Sequence, residues 1–153
     1  MEGAIGEPLS INLWVAIGIV AVCILLSAFF AGSETALTAA SRARMHTLEK
    51  AGDKRAAIVN RLLQSRDRFI GAMLLGNTLV NIASSAVATS LLVALVGDKG
   101  AIYATFLMTA LLLVFAEVMP KTLAINFPDR MSLAVARAVA FVVAVFGPIL
   151  VAV

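Results

Sequence analysis

With 153 residues, 61% of them hydrophobic, and a mean hydropathy of +1.01, the chain exceeds the roughly 45–50% apolar content of soluble domains and reads as an integral membrane protein. Its 16.0 kDa leave room for one compact membrane domain and no separate soluble one, and no pairing of a nucleophile with a base is visible, so an enzyme is not expected. The net charge of +3 does not mark a nucleic-acid binder, because the basic residues gather beside apolar runs, where membrane topology accounts for them.

Residues 1–10 contain Glu2 and Glu7 but no Lys or Arg, so the basic start of a cleavable signal peptide is missing and an extracytoplasmic N-terminus is expected. Ile11 to Phe30 is long enough, at ~30 Å as a helix, to cross the hydrocarbon core, and a first span over about 11–32 is predicted. Cys23 is alone in this segment and reads as packing. Ser27 interrupts its far end, and Gly32-Ser33-Glu34-Thr35 follows directly.

Arg42, Arg44, Lys50, Lys54, Arg55, Arg61, Arg66 and Arg68 are eight of the twelve basic residues, which places this segment on the cytoplasmic side. Met45, Leu48, Ile58, Leu62 and Leu63 recur at helical spacing around Ala51-Gly52-Asp53. Two amphipathic juxtamembrane helices over about 41–66 are predicted, their basic side drawn to anionic lipid head groups; a solvated charged loop is the alternative. His46 has no second metal ligand near it in sequence and is assigned no role.

A second span, about 69–96, carries Gly76-Asn77-Thr78-Leu79-Val80-Asn81. At ~100° per residue Asn77 and Asn81 lie ~40° apart with Ser84 between them, a polar stripe that must face protein rather than lipid. It serves either as hydrogen-bonding glue between helices or as part of a site. After the turn Gly97-Asp98-Lys99-Gly100, a third span over about 101–119 ends in Glu117-Val118-Met119-Pro120-Lys121. Pro120 lacks an amide hydrogen, so the Ala116 carbonyl is expected to lose its helical partner beside the Glu117 carboxylate. Glu117 is either a functional group or the partner of Lys121. Residues 129–153 are long enough to span, but Arg137 enters early and Gly147-Pro148 interrupts the end. The apolar ending, without a polar tail, predicts a longer parent protein.

Depths agree among the spans. Ser27 and Glu117 each lie 16 residues past the outer start of their helices, ~24 Å down, while Asn77 lies nine residues, ~13 Å, above Arg68. A hydroxyl, two carboxamides and a carboxylate therefore meet in the inner half of the membrane. All are hard oxygen ligands, suited to Mg²⁺, Ca²⁺ or Na⁺ rather than zinc or copper, and one carboxylate with neutral oxygens is the usual provision for Mg²⁺.

Three stretches in register, Ser27-Ala28-Phe29-Phe30-Ala31-Gly32-Ser33-Glu34-Thr35-Ala36-Leu37, Gly76 to Asn81, and Glu117 to Lys121, resemble the transmembrane domain of the CorC and cyclin-M (CNNM) magnesium transporter family over roughly residues 10–153. The resemblance implies an all-α homodimer with three membrane helices per subunit and cytosolic-face juxtamembrane helices, forming a single domain over 11–153. It implies Mg²⁺ as transported ion, held dehydrated by Ser27, Asn77, Asn81 and Glu117, with Ser33 and the Gly76 carbonyl as further ligands. Ala31 departs from the serine many members carry, so a ligand there would be a backbone carbonyl. The resemblance further implies cytosolic CBS domains and a small C-terminal domain beyond this chain, Mg²⁺ export coupled to Na⁺ entry, and an inner-membrane location with the C-terminus cytosolic. On that ground 129–153 is expected to be a kinked helix on the inner face. The alternative function is an anchor that dimerises and displays cytosolic CBS sensor domains without transporting anything.

Overall fold

In a computed structural model, which describes the backbone over residues 2–152 and side chains over residues 13–149, all regular structure among the described residues is helical. Helix α1 (Glu2–Ala39) is followed by the short α2 (Arg42–Lys50) and α3 (Lys54–Gln64) and the long α4 (Arg66–Val96). A 3-10 turn over Gly97–Lys99 leads into α5 (Gly100–Leu111), which continues through a π-helical stretch, Leu112–Val118, into α6 (Met119–Asn126); α7 (Pro128–Ala152) comes next.

Three helical stretches are long and apolar enough to cross a membrane: Leu13–Ala39, Arg66–Asn126 and Pro128–Ile149. The 61 residues of Arg66–Asn126 would measure ~90 Å as a straight rod, some three hydrocarbon thicknesses. They fold back instead at Gly97–Lys99, so α5 packs along α4. The spans expected at 69–96 and 101–119 lie within this hairpin. The first and third helices run further than expected, to Ala39 and Asn126, and their ends nearest the basic segment are buried by protein at Phe30, Leu37, Pro120 and Ala124. Elsewhere the outward side chains are those a bilayer accepts, with Trp14, Leu25, Phe106 and Phe141 each about 70% exposed.

The best-packed region lies at the basic end. Leu37, Met45, Val59, Phe69, Met73, Ala136 and Val139 are fully buried and join α1, α2, α3, α4 and α7 in one cluster. The amphipathic pair α2 and α3 forms as the spacing predicts. The Ser41 hydroxyl caps α2 by accepting from the Arg44 amide, and Asp53 caps α3 by accepting from the amides of Arg55 and Ala56. Between them Gly52 adopts φ +97°, a left-handed turn conformation that side chains disfavour. Asn60 Nδ2 donates to Glu49 Oε2 at 2.6 Å and ties the two helices together.

Helix α7 is attached to the basic segment at both ends. Near its start, Asp129 accepts from the Ser41 amide at 2.8 Å and pairs with Arg44 at 3.2 Å. Near its finish, Gly147 lies so close to the Arg68 guanidinium that an added Cβ would meet Nη2 at 2.6 Å. Pro148 is carried inside the helix.

Candidate functional site

Serine Ser27 is completely buried in α1, facing α4. Its hydroxyl oxygen lies 2.6 Å from Asn77 Oδ1 and 2.7 Å from Asn81 Oδ1. The four-residue spacing of the asparagines puts both on one side of α4, so a single serine meets both. A hydroxyl has one hydrogen and donates to one acceptor at a time, so three oxygens converge around one proton. Rotating a carboxamide to offer its NH₂ would close this network without an ion; a cation would close it by drawing all three oxygens. The cluster is therefore adaptable, and uncharged in itself.

Close approach of α1 and α4 makes this possible, and Gly76 permits it. A Cβ at Gly76 would meet the Phe30 ring at 2.8, 3.0 and 3.1 Å, and Phe30 is itself buried. Phe30 is the member of the site that sequence reasoning missed; its place three residues beyond Ser27, one turn down the same helix, is the signal that could have found it. Ser84, expected on the stripe, is buried and donates to the Asn81 carbonyl at 3.0 Å, steadying the helix at that residue. Ser33 is held apart from the cluster. Six residues beyond Ser27, it lies ~9 Å further along α1 and is turned ~120° away, buried with its hydroxyl unpartnered among the described residues.

Glu117 lies in the π-helical stretch, half-buried. The Met119 amide there donates to the Val114 carbonyl five residues back, so the wide turn precedes Pro120 in place of a sharp kink. The next residues seat Pro120 against α1, where a Cβ at Gly32 would lie 3.3 Å from the Pro120 Cβ. With α1 and the third span running in the same direction, Glu117 lies ~4.5 Å above that contact and Ser27 ~7.5 Å above it. Their backbones thus differ in height by ~3 Å. Glu117 makes no hydrogen bond to Ser27, Asn77 or Asn81, and no ion pair with Lys121; the ion pairs among the described residues are Arg44–Asp129 and Arg55–Asp53. The structure thus joins Ser27, Asn77 and Asn81 directly and sets the Glu117 backbone at a similar height along the bundle without a hydrogen bond to them. Lys121, exposed, makes no ion pair with Glu117.

The model of the cyclin M transmembrane N-terminal domain matches residues 18–153. The chain belongs to that family. The UPF0053 inner membrane protein YfjD of Escherichia coli (strain K12) is 43% identical to this cyclin M domain over 107 residues, covering 70% of the chain and 25% of that protein. A UPF0053 protein of Haemophilus influenzae is 37% identical over 131 residues, 86% of the chain and 31% of the relative. More distantly, the polyamine export protein of the same species is 27% identical over 139 residues, 82% of the chain and 32% of its own length. This cyclin M domain therefore spans about a fifth to a third of the length of the relatives it matches.

Proposed function

We propose that this cyclin M domain moves Mg²⁺ across the inner membrane as its substrate, binding it dehydrated between Ser27, Asn77, Asn81 and Glu117, with Na⁺ entry as the coupled movement. The observation that carries the reading is the spacing of the three neutral oxygens, 2.6 and 2.7 Å from hydroxyl to carboxamide. Adjacent oxygens around octahedral Mg²⁺, at 2.0–2.1 Å from the metal, are separated by about 2.9 Å. Binding would open the cluster by only a few tenths of an ångström. Glu117, a short distance away in height and unpaired, supplies the charge that makes dehydration of a divalent ion tolerable. The Gly76 carbonyl, one residue from Asn77, is a further acceptor at the same level.

A polyamine is the competing substrate, raised by the relative named as a polyamine export protein. Oxygens accepting from one ammonium at about 2.8 Å in tetrahedral directions would stand about 4.6 Å apart. The separations in the cluster lie nearer the metal spacing, which is why we take the small metal ion as the substrate. We further assign a homodimer in the cell inner membrane with the basic segment and α7 on the cytosolic face, and a parent protein whose cytosolic CBS and C-terminal domains act on this one.

Titration calorimetry on the full-length protein tests the reading, comparing Mg²⁺, Ca²⁺, Na⁺ and spermidine. Glu117→Gln should weaken Mg²⁺ binding by more than about tenfold, as expected for losing a charged partner. The lipid-facing Phe106→Ala should leave it unchanged. If Glu117→Gln kept its Mg²⁺ affinity and only lowered the melting temperature, the domain would be an anchor rather than a transporter.

A further inference from the structure

The polar stripe on α4 does not stop at Asn81. Ser85 and Thr89 continue it at four-residue steps, each ~6 Å further from the basic segment and turned ~40°. Across the hairpin, α5 presents Thr105 and Thr109. Counting down from the Gly97–Lys99 turn, Thr89 and Thr105 lie ~10 and ~8 Å deep, and Ser85 and Thr109 ~16 and ~14 Å. The four hydroxyls thus stand as two facing pairs along one groove of about 180 Å³, room for about six waters at ~30 Å³ each. A second, shallow depression on α4, lined by Asn81, Ile82, Ser85, Ala86 and Thr89, shares Ser85 and Thr89 with this groove and reaches Asn81 of the carboxamide cluster.

Interhelical glue would explain facing hydroxyls if they bonded one another, but they do not. Thr105 donates to the Ala101 carbonyl at 2.9 Å and Thr109 to the Thr105 carbonyl at 2.6 Å, each within its own helix. With their hydrogens committed there, both oxygens turn acceptor lone pairs toward the groove. Ser85 and Thr89 make no side-chain hydrogen bond among the described residues, although the carbonyls of their own helix are within reach of any helical serine or threonine. A row of acceptor oxygens at a depth where lipid offers no donor suits water and a cation, not an acyl chain.

We propose that this groove is a hydrated cation pathway leading from the carboxamide cluster to the membrane face opposite the basic segment. It rests on reading that cluster as an ion site. The test uses the full-length protein in proteoliposomes, with Cys23→Ala as background and single cysteines Ser85→Cys, Thr89→Cys and, as the lipid-facing control, Phe106→Cys. A membrane-impermeant cationic thiosulfonate applied opposite the basic segment should modify the first two, at least about tenfold faster than its anionic analogue, and spare the third. The double change Thr89→Val and Thr105→Val should lower Mg²⁺ flux by more than about tenfold while calorimetric Mg²⁺ affinity stays within about twofold. Cysteines at 85 and 89 as unreactive as that at 106 would overturn the pathway, as would unchanged flux in the double variant. Modification at 85 and 89 in a protein that binds no Mg²⁺ would sink the ion site and uphold a hydrated groove, so the two failures are separable.

Discussion

One hydrogen between three oxygens ties Ser27 to both asparagines of α4. Ser27→Ala removes both the donor and one of the proposed ligands from a fully buried position, and Mg²⁺ affinity should drop by about tenfold or more in calorimetry. Gly76→Ala attacks the same contact indirectly, since the new methyl would have to displace a buried aromatic ring. Its expected signature is loss of both Mg²⁺ affinity and several degrees of melting temperature, whereas Ser27→Ala should weaken binding more than stability. The asparagine pair, the serine and the glutamate were legible in sequence because polar groups in bilayer-length apolar runs are few and their depths can be counted. The role of Phe30 was not, because an aromatic residue in a membrane helix carries no mark of which neighbour it touches. Ser33 is the opposite case. It sits in the right motif, yet helical rotation carries it away from the cluster, and only the placement of α4 decides which serine of α1 faces the asparagines.

At the basic end one helix cap, Asp53 of α3, responds to pH. Burial alone would raise the Asp53 carboxyl, but the amides of Arg55 and Ala56 and the Arg55 guanidinium at 3.5 Å outweigh it and hold the group below its ordinary 3.8. A carboxyl depressed on folding contributes stability that is complete above the unfolded value and is lost as pH falls through the folded one. Hydrogen exchange at the first amides of α3 should therefore accelerate, relative to intrinsic rates, as the pH falls below 3.8, and Asp53→Asn should cap the helix without that dependence. The hairpin α2–α3 was predictable because apolar spacing and a Gly turn specify it locally. The π-helical stretch was not, because Pro120 announces a disturbed hydrogen-bond pattern but not whether a kink or a widened turn absorbs it. Pro120→Ala restores an amide, and should raise helix protection in exchange experiments while moving Glu117 and weakening Mg²⁺ binding.

For the molecule as a whole, the decisive ambiguity in sequence was α7, long enough to span and equally able to lie flat. Length and hydropathy do not separate those arrangements, and the contacts of Asp129 with Arg44 and of Gly147 with Arg68, which attach both ends to the basic segment, are the ground on which we propose the membrane-face placement. Orientation is open to direct measurement. In a Cys23→Ala background, Asp98→Cys should react with an impermeant thiol reagent added to intact cells, and Lys50→Cys should not; the reverse pattern would invert the proposed topology. The tie between α7 and the rest also dictates when the protein can be finished. Phe30 and Leu37 leave the ribosome about a hundred residues before Ala136 and Val139, which at ~5–20 residues per second is ~5–20 s. During that interval the C-terminal end of α1 waits without the partner that will cover it. Nascent chains arrested before Pro128 should accordingly be cut by protease within α2 and α3, and chains released after α7 should resist.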